Sequence, residues 1–152
     1  MKRSFDRRQV LTWGAGVAAI AALGIPGGPA HAKNDVEEVI AKFTGGKTPT
    51  TGKVKLDLPE IAENGNTVPM TVAVESPMTT ESAVSDGLVV TDGNPRAGGA
   101  VFQFSPASGV AEANTRIRLA TSQNIIAVAK MNDGSFFTAT KAVKVTIGGC
   151  GG

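Results

Sequence analysis

The sequence predicts an all-β protein, an immunoglobulin-like antiparallel β-sandwich of about seven strands with a short N-terminal helix. Three observations support this prediction: short runs of alternating apolar residues, turn signals between them, and a length of 152 residues, which suits one domain. The chain ends on four glycines and one cysteine, Gly148-Gly149-Cys150-Gly151-Gly152. Because these residues offer nothing large to pack into a core, they are predicted to form a flexible arm at 148–152.

Residues 1–32 are predicted to be a cleaved signal peptide, which leaves a helix-plus-sandwich domain at 33–147. A basic start precedes an apolar stretch at 17–25, and a small-x-small cleavage pattern ends at Ala32. The pair Arg7-Arg8 resembles a twin-arginine signal. The stretch is shorter than the roughly 20 apolar residues of a membrane span. We therefore expect twin-arginine export to the periplasm, with general secretion as the alternative, and no membrane attachment after cleavage.

Signal cleavage changes the residue inventory and excludes several functions. It removes four basic residues and one acidic residue, so the formal net charge falls from +2 to −1. A chain with this charge is not expected to bind nucleic acid. The only histidine, His31, and the only tryptophan, Trp13, are removed as well. Without histidine the mature chain has no Ser-His or Cys-His pair. Zinc, blue-copper and iron-sulfur sites of the usual kinds are excluded too, so no catalytic residue, metal or cofactor is predicted.

A short amphipathic helix is predicted over 34–43, before the strands. Four apolar residues fall on one face at helical spacing, namely Val36, Val39, Ile40 and Phe43. Asn34 is the expected N-cap, with Glu37 completing a capping box, and Gly45-Gly46 is the expected stop. Ten residues are too few for a stable isolated helix, so this face must dock on the domain's own sheet or, alternatively, on a partner chain.

The strands follow from a twofold apolar period. They are predicted at 53–58, 68–74, 84–91, 101–104, 115–119, 125–129 and 136–147. Turns are expected at 64–66 and 132–134, and loops at 44–51 and 105–114. Pro69 favours an edge or a bulge because proline cannot donate to a ladder. The inward parity of the last strand changes near Lys141, which predicts a bulge there. Lys141 and Lys144 are interpreted as a solvated face, with attraction of an anionic cargo as the alternative.

Cys150 is the only cysteine in the chain and has no apolar neighbour within two residues. Exported compartments are oxidising, so a lone cysteine stays free, joins another molecule or carries a group. Three extended residues place its Cα about 10 Å beyond Ile147. The tail itself contains no cation, so an ordinary thiol pKa of about 8.5 is expected. The alternatives are a structural disulfide to a neighbouring molecule and conjugation through the terminal carboxylate of Gly152.

The terminal motif and the order of elements resemble the SoxY family of sulfur-oxidation carriers. Cysteine stands third from the end between paired glycines, and the stretches at 63–69 and 75–78 also look like that family's early strands. The resemblance implies that the Cys150 thiol binds sulfur intermediates covalently, with Gly148, Gly149, Gly151 and Gly152 as its flexible arm. It implies no catalytic residue and no cofactor in this chain. It also implies a heterodimer with a SoxZ-like subunit and three enzymatic partners: a c-type cytochrome, a sulfate-releasing hydrolase and a sulfane dehydrogenase.

Overall fold

A computed structural model of the protein describes residues 35–149; the predicted signal peptide and the residues Cys150, Gly151 and Gly152 lie outside the described residues. The described part contains one α-helix, α1 (Val36–Thr44), and one 3-10 turn, Pro106–Ser108. Its strands are β1 Thr50–Thr51, β2 Val54–Asp57, β3 Ile61–Asn64, β4 Val68–Val74, β5 Val84–Thr91, β6 Gly98–Gln103, β7 Ala111–Ile117, β8 Gln123–Met131 and β9 Phe136–Ile147.

The strands form two sheets, which confirms the predicted sandwich. One sheet has the order β1-β9-β8-β5-β6, with β3 also paired to β9, and the other has the order β2-β4-β7. The inward faces alternate as predicted, for example Val68, Met70, Val72 and Val74 along β4. Their side chains pack with Ile125 and Ala127 of β8, and this cluster forms the core between the sheets.

The described residues contain two more strands than the seven predicted. β1 lies in the predicted loop at 44–51, and β3 precedes the predicted turn at 64–66. Both pair with β9 in parallel, through Thr50 with Phe137 and through Ile61 with Lys144. The predicted loop at 105–114 is also too long, because β7 begins at Ala111. β1 and β3 escaped prediction because their pairing depends on β9, far away in the sequence, and the start of β7 escaped it because those residues pair with β4.

Helix α1 docks on its own sheet, so the first of the two alternatives is confirmed for the apolar face. Val36, Val39, Ile40 and Phe43 pack on a cluster of β5, β8 and β9 residues. The ring of Phe43 meets the ring of Phe136 edge-on at 6.0 Å between centroids. Gly45 ends the helix in the left-handed conformation, as expected from the glycine pair.

The predicted capping box is wrong. The N-cap is Asp35, not Asn34, and no side chain caps the helix. The Asp35 carboxylate instead accepts a hydrogen bond of 3.1 Å from the Ala97 amide. This contact ties the start of the helix to the connection between β5 and β6.

The predicted bulge near Lys141 is also wrong. Pairing of β9 with β8 runs without a register shift from Phe136 opposite Lys130 to Val143 opposite Gln123. The change of parity has another cause: Phe136 belongs to the helix side of the sheet, whereas Phe137, Ala139 and Val143 face the core. Both faces of β9 are partly covered, so no single inward parity describes it.

Pro69 lies in β4, the middle strand of the smaller sheet, at a position where only one of the two neighbouring strands is paired with it. β2 pairs with β4 only from Thr71 onward, whereas β7 continues to Val68. At Pro69 the strand is therefore bordered by β7 alone, which fits the predicted preference for an edge. No helix in residues 35–149 is long and apolar enough to cross a membrane.

Candidate functional site

The chain leaves the last strand at Ile147, which is 66% exposed, and then turns back onto the sandwich. Gly149, two residues later, is buried. Its amide donates a hydrogen bond of 2.9 Å to the backbone oxygen of Leu119, in the connection between β7 and β8. The residue that precedes Cys150 therefore has a fixed place against the sandwich.

Three backbone hydrogen bonds build this place. The amide of Gly65 donates to the oxygen of Ile147 at 2.8 Å, and the amide of Leu119 donates to the oxygen of Gly65 at 2.7 Å. The Gly149 bond to Leu119 completes the series. We call Gly65 together with Arg118, Leu119 and Ala120 the seat. The seat joins the loop after β3, the connection after β7 and the end of β9.

The seat excludes side chains at three glycine positions. A Cβ on Gly65 would overlap the backbone oxygen of Leu119, and a Cβ on Gly148 would overlap that of Ala120. At Gly149 a Cβ would lie 2.8 Å from Cγ of Arg118 and 2.9 Å from the oxygen of Gly65. Carbon atoms do not approach this closely without a shift of one partner. Three of these four obstacles are backbone carbonyl oxygens, which move only with their loops.

The seat is anchored from behind by polar side chains and by the core. The Asn94 amide group donates to the oxygen of Arg118 at 2.8 Å, and its oxygen accepts from the Ala120 amide at 2.9 Å. Asn94 therefore bridges the two residues on either side of Leu119. Gln123, which is buried, donates to the same Asn94 oxygen at 2.9 Å. The side chain of Leu119 is fully buried in the core.

Two glycines of the predicted arm lie close to the backbone of the sandwich. A Cβ on Gly148 or on Gly149 would meet backbone atoms of the seat. The composition of the tail predicts a flexible arm formed by Gly148, Gly149, Gly151 and Gly152, and this stays a prediction. Cys150, Gly151 and Gly152 lie outside the described residues, so the role of Cys150 as the attachment residue stays a prediction as well.

Gly65 and Leu119 are parts of the site that sequence reasoning misses. The sequence pattern assigns Gly65 to a turn between strands, and Leu119 to the inward face of a strand. A signal for Gly65 is present in the stretch at 63–69 that resembles the SoxY family. Its contact with the arm depends on two loops that meet in space, and neither periodicity nor turn signals contain that information.

Arg118 brings a positive charge to the arm, although the tail itself has none. Its aliphatic stem lies against Gly149, one residue before Cys150. Its side chain is exposed, as expected of a long cationic residue that covers apolar or backbone surface with its stem. The stem of Arg118 therefore brings a cationic side chain next to Gly149, which precedes Cys150 in the sequence.

We expect Arg118→Ala to slow the reaction of Cys150 with an anionic aryl disulfide by about twofold to fourfold at low salt. At a separation of about 10 Å in water, the attraction between the guanidinium and each negative charge of the reagent is roughly 0.4 kcal/mol. This attraction changes the reaction rate by about a factor of two per charge. Reaction with neutral iodoacetamide should not change. The rates can be measured by stopped-flow absorbance and by mass spectrometry.

Arg116 provides the matched control, because it lies two residues earlier, about 7 Å farther along the chain. Arg116→Ala should have a smaller effect, and high salt should remove the difference between the variants. An equal loss with the neutral reagent, or equal effects of the two arginines, would contradict the electrostatic explanation.

The basic residues of β9 lie elsewhere. Lys141 faces Ile125 of β8 in the pairing register, and the Lys144 amide donates to the Glu60 oxygen at 2.8 Å. Neither contact involves the seat. Lys144 is exposed, as expected for a solvated face, whereas Lys141 lies on the opposite face of the strand and is half-buried. Between residues 35 and 149 no three side chains of histidine, cysteine, aspartate or glutamate are grouped so that they could hold a metal ion.

The fold and the site define a β-sandwich protein whose C-terminal cysteine directly follows a seated glycine. The chain matches the family model described as sulfur oxidation protein SoxY over residues 40–150, a range that reaches the cysteine. The chain therefore belongs to the SoxY family, which confirms the resemblance, and it is a component of the sulfur-oxidising Sox system. No match is found among curated proteins.

Solved structures agree with this assignment. The chain is similar to the sulfur carrier protein SoxY from Chlorobium limicola f thiosulfatophilum, with 30% identity and a TM-score of 0.61 over 74% of this chain and 97% of that chain. It is also similar to superoxide reductase (neelaredoxin) from Ignicoccus hospitalis, with 19% identity and a TM-score of 0.56 over 62% and 81% of the two chains. Superoxide reductase from Nanoarchaeum equitans gives 11% identity and a TM-score of 0.54 over 63% and 100%. The likeness to the superoxide reductases shows a shared fold alone.

Proposed function

We propose that the protein is a covalent carrier, which holds sulfur intermediates of thiosulfate oxidation on the thiol of Cys150 and presents them to partner enzymes. One observation supports this most directly. The match to the SoxY family extends to the only cysteine of the chain, and the structure holds the residue before it on the seat. The Chlorobium SoxY, which is 30% identical to this chain, is itself described as a sulfur carrier protein.

The chemistry of such a carrier is a series of balanced steps on one sulfur atom. Joining the thiol to thiosulfate forms a sulfur–sulfur bond and releases one proton and two electrons, which a c-type cytochrome accepts. Hydrolysis of the terminal sulfonate consumes one water and releases sulfate and two protons, leaving a persulfide anion on Cys150. A sulfane dehydrogenase then oxidises the outer sulfur to a sulfonate with three waters, releases six protons and passes six electrons to a c-type cytochrome. A final hydrolysis with one water releases a second sulfate and restores the thiol.

In this proposal the protein itself is not a catalyst. The mature sequence contains no histidine to activate the thiol, and only a few per cent of an ordinary thiol is ionised at neutral pH. The oxidising and hydrolysing groups therefore belong to the cytochrome, the hydrolase and the dehydrogenase. We further propose a heterodimer with a SoxZ-like subunit and a periplasmic location. A twin-arginine signal at 1–32 would export the folded pair.

The test is to measure the intact mass of the mature protein isolated from its native host, with and without reductant, by mass spectrometry. The C-terminal peptide is then mapped to locate any addition. We expect reductant-labile additions on Cys150 with the masses of sulfur and thiosulfate-derived groups. Thiosulfate in the growth medium should increase them. A bare thiol under these conditions, or a disulfide of the chain with itself and no small adduct, would reject the carrier function. A modification of the Gly152 carboxylate would favour conjugation instead.

A further inference from the structure

We propose that strand β6 is a self-association surface, on which a second copy of this chain pairs antiparallel through residues 101–103. The pairing uses only residues of the sandwich, so it goes beyond the proposed carrier function and does not rest on it. The larger sheets of the two copies would become one continuous sheet across a two-fold axis.

β6 differs from the other edge strands of the described sandwich in carrying no charge along its length. An edge strand offers unpaired backbone groups to other strands, and proteins usually protect it by shortness or by charged side chains. β1 contains only two residues, and the edges β2, β3 and β7 carry Lys55, Glu63 and Glu112, respectively. β6 has six residues, and the sequence contains no charged residue between Arg96 and Glu112.

The backbone of β6 has hydrogen-bonding groups on the side away from β5. The Phe104 amide donates to the Ser85 oxygen at 2.9 Å, so the backbone of Phe104 is directed at β5. Successive residues of a strand direct their backbone groups alternately to its two sides. Val101 and Gln103 therefore direct their N–H and C=O groups away from β5, and no described strand lies on that side.

The side chains of this edge are apolar and incompletely covered. Val101 is 64% exposed, although Leu88, its neighbour on β5, is buried in the cluster under helix α1. Phe102 packs against the core between the sheets but is only half-buried. A strand added beside β6 would cover both side chains, one on each face of the sheet. Removing this apolar surface from water favours association.

The outward groups select one register for pairing with a second copy. In an antiparallel pair, opposite residues of a bonded pair exchange both of their hydrogen bonds. Placing Val101 opposite Gln103 of the second copy uses every outward N–H and C=O of these two residues. Phe102 then lies on the axis, opposite its two-fold mate in a non-bonded pair, where side chains are closest and aromatic pairs stabilise a sheet.

The neighbouring registers fit less well. A shift toward the start of β6 would require Gly99, where the pairing with β5 is irregular between Val89 and Val90. A shift toward its end would require Ser105, whose amide already donates to the Ser108 hydroxyl at 3.2 Å. The register with Phe102 on the axis avoids both obstacles.

The charge pattern favours a second copy over a different protein. In this register residue 97 stands opposite residue 107, so the whole paired stretch is uncharged on both strands. No like charges meet, and nothing electrostatic opposes self-pairing. Charges across an interface are a common means of selecting a different partner, and β6 has none. Because the same surface serves both copies, the assembly closes at two molecules and leaves no third copy a β6 edge to join.

Analytical ultracentrifugation of the mature chain tests the pairing, with reductant present so that no disulfide forms. We expect a dimer that dissociates on dilution. In NMR measurements of hydrogen exchange, the amides of Val101 and Gln103 should exchange about tenfold more slowly in concentrated than in dilute samples, because pairing removes them from water. The amide of Phe102, which is directed at β5, should change far less.

Two variants are designed to break the pairing without altering the core. Val101→Lys adds a charge to the exposed edge, and Gln103→Pro removes an N–H that β5 does not use. Both should be monomers at every concentration, with an unchanged circular dichroism spectrum. Asn114→Lys is the matched control, because it adds the same charge at an exposed position of the β7 edge, and it should remain a dimer.

Several results would overturn the proposal. These are a monomeric unaltered chain at NMR concentrations, a dimer that persists in Val101→Lys, and a dimer whose Val101 and Gln103 amides exchange as in dilute samples. Val101→Lys decides alone if Gln103→Pro fails to fold. Slowed exchange of these amides only in the presence of a different subunit would assign β6 to that subunit and reject the second copy.

Discussion

Replacement of Cys150 by serine is expected to abolish every sulfur adduct while leaving the sandwich folded. A serine hydroxyl does not form a stable bond to thiosulfate sulfur, and no other cysteine is present to replace the thiol. Turnover of thiosulfate by the reconstituted pathway should fall to the background without carrier, a loss of at least a hundredfold. The fold should persist because the described core contains no cysteine. Intact mass, thiosulfate-dependent cytochrome reduction and thermal unfolding measure the three expectations.

Two further variants make this result specific. Cys150→Ala should behave like the serine variant, whereas Gly98→Ala, on the exposed strand β6, should retain normal turnover. Loss of a copurifying partner in Cys150→Ser would indicate that the cysteine is structural. Adducts that survive in both cysteine variants would place the attachment elsewhere in the chain and exclude the thiol as the carrier group.

Strands with a clear local pattern were predictable from the sequence. β4 alternates Val68, Met70, Val72 and Val74 inward, and the apolar run of β8 is covered on both sides, as predicted. β1 and β3 were not predictable, because two to four residues contain no usable period. Each exists only because β9 offers a parallel partner. The bulge prediction near Lys141 failed because a strand covered on both faces violates the one-sided pattern on which the prediction depended.

The sequence predicts where the candidate site lies, but it does not predict how the glycines of the tail contact the sandwich. Cys150 and its glycines stand out by composition, and the family match reaches that cysteine. The use of Gly148 and Gly149 for close approach could not be inferred, because the obstructing atoms belong to Gly65, Arg118 and Ala120. A glycine can be required because its backbone is flexible, or because its missing Cβ lets another part of the chain come close. Only the φ values and neighbouring atoms distinguish the two uses.

Gly149→Val is expected to lower kcat/KM of partner enzymes for the carrier by about fivefold, with an unchanged melting temperature. The valine Cβ would lie 2.8 Å from Cγ of Arg118 and 2.9 Å from the Gly65 oxygen, so residue 149 cannot remain on the seat. The hydrogen bond to Leu119 is lost with it. One such bond contributes about 1 kcal/mol, and about 1.4 kcal/mol corresponds to a factor of ten. Steady-state kinetics with each partner and thermal unfolding provide the measurements.

The double variant Gly149→Val with Arg118→Ala shows whether the Arg118 stem or the Gly65 carbonyl oxygen keeps the valine off the seat. The arginine stem is flexible and can move aside, whereas the Gly65 carbonyl belongs to a loop held by bonds to Ile147 and Leu119. Removing the stem should therefore not restore turnover, and the Gly149 valine should remain displaced. Recovery in the double variant would show that the side chain of Arg118 alone limits access to the seat. Normal kinetics in Gly149→Val would mean that partner enzymes accept the thiol when residue 149 is off the seat, and the seat would then have no part in presenting the thiol.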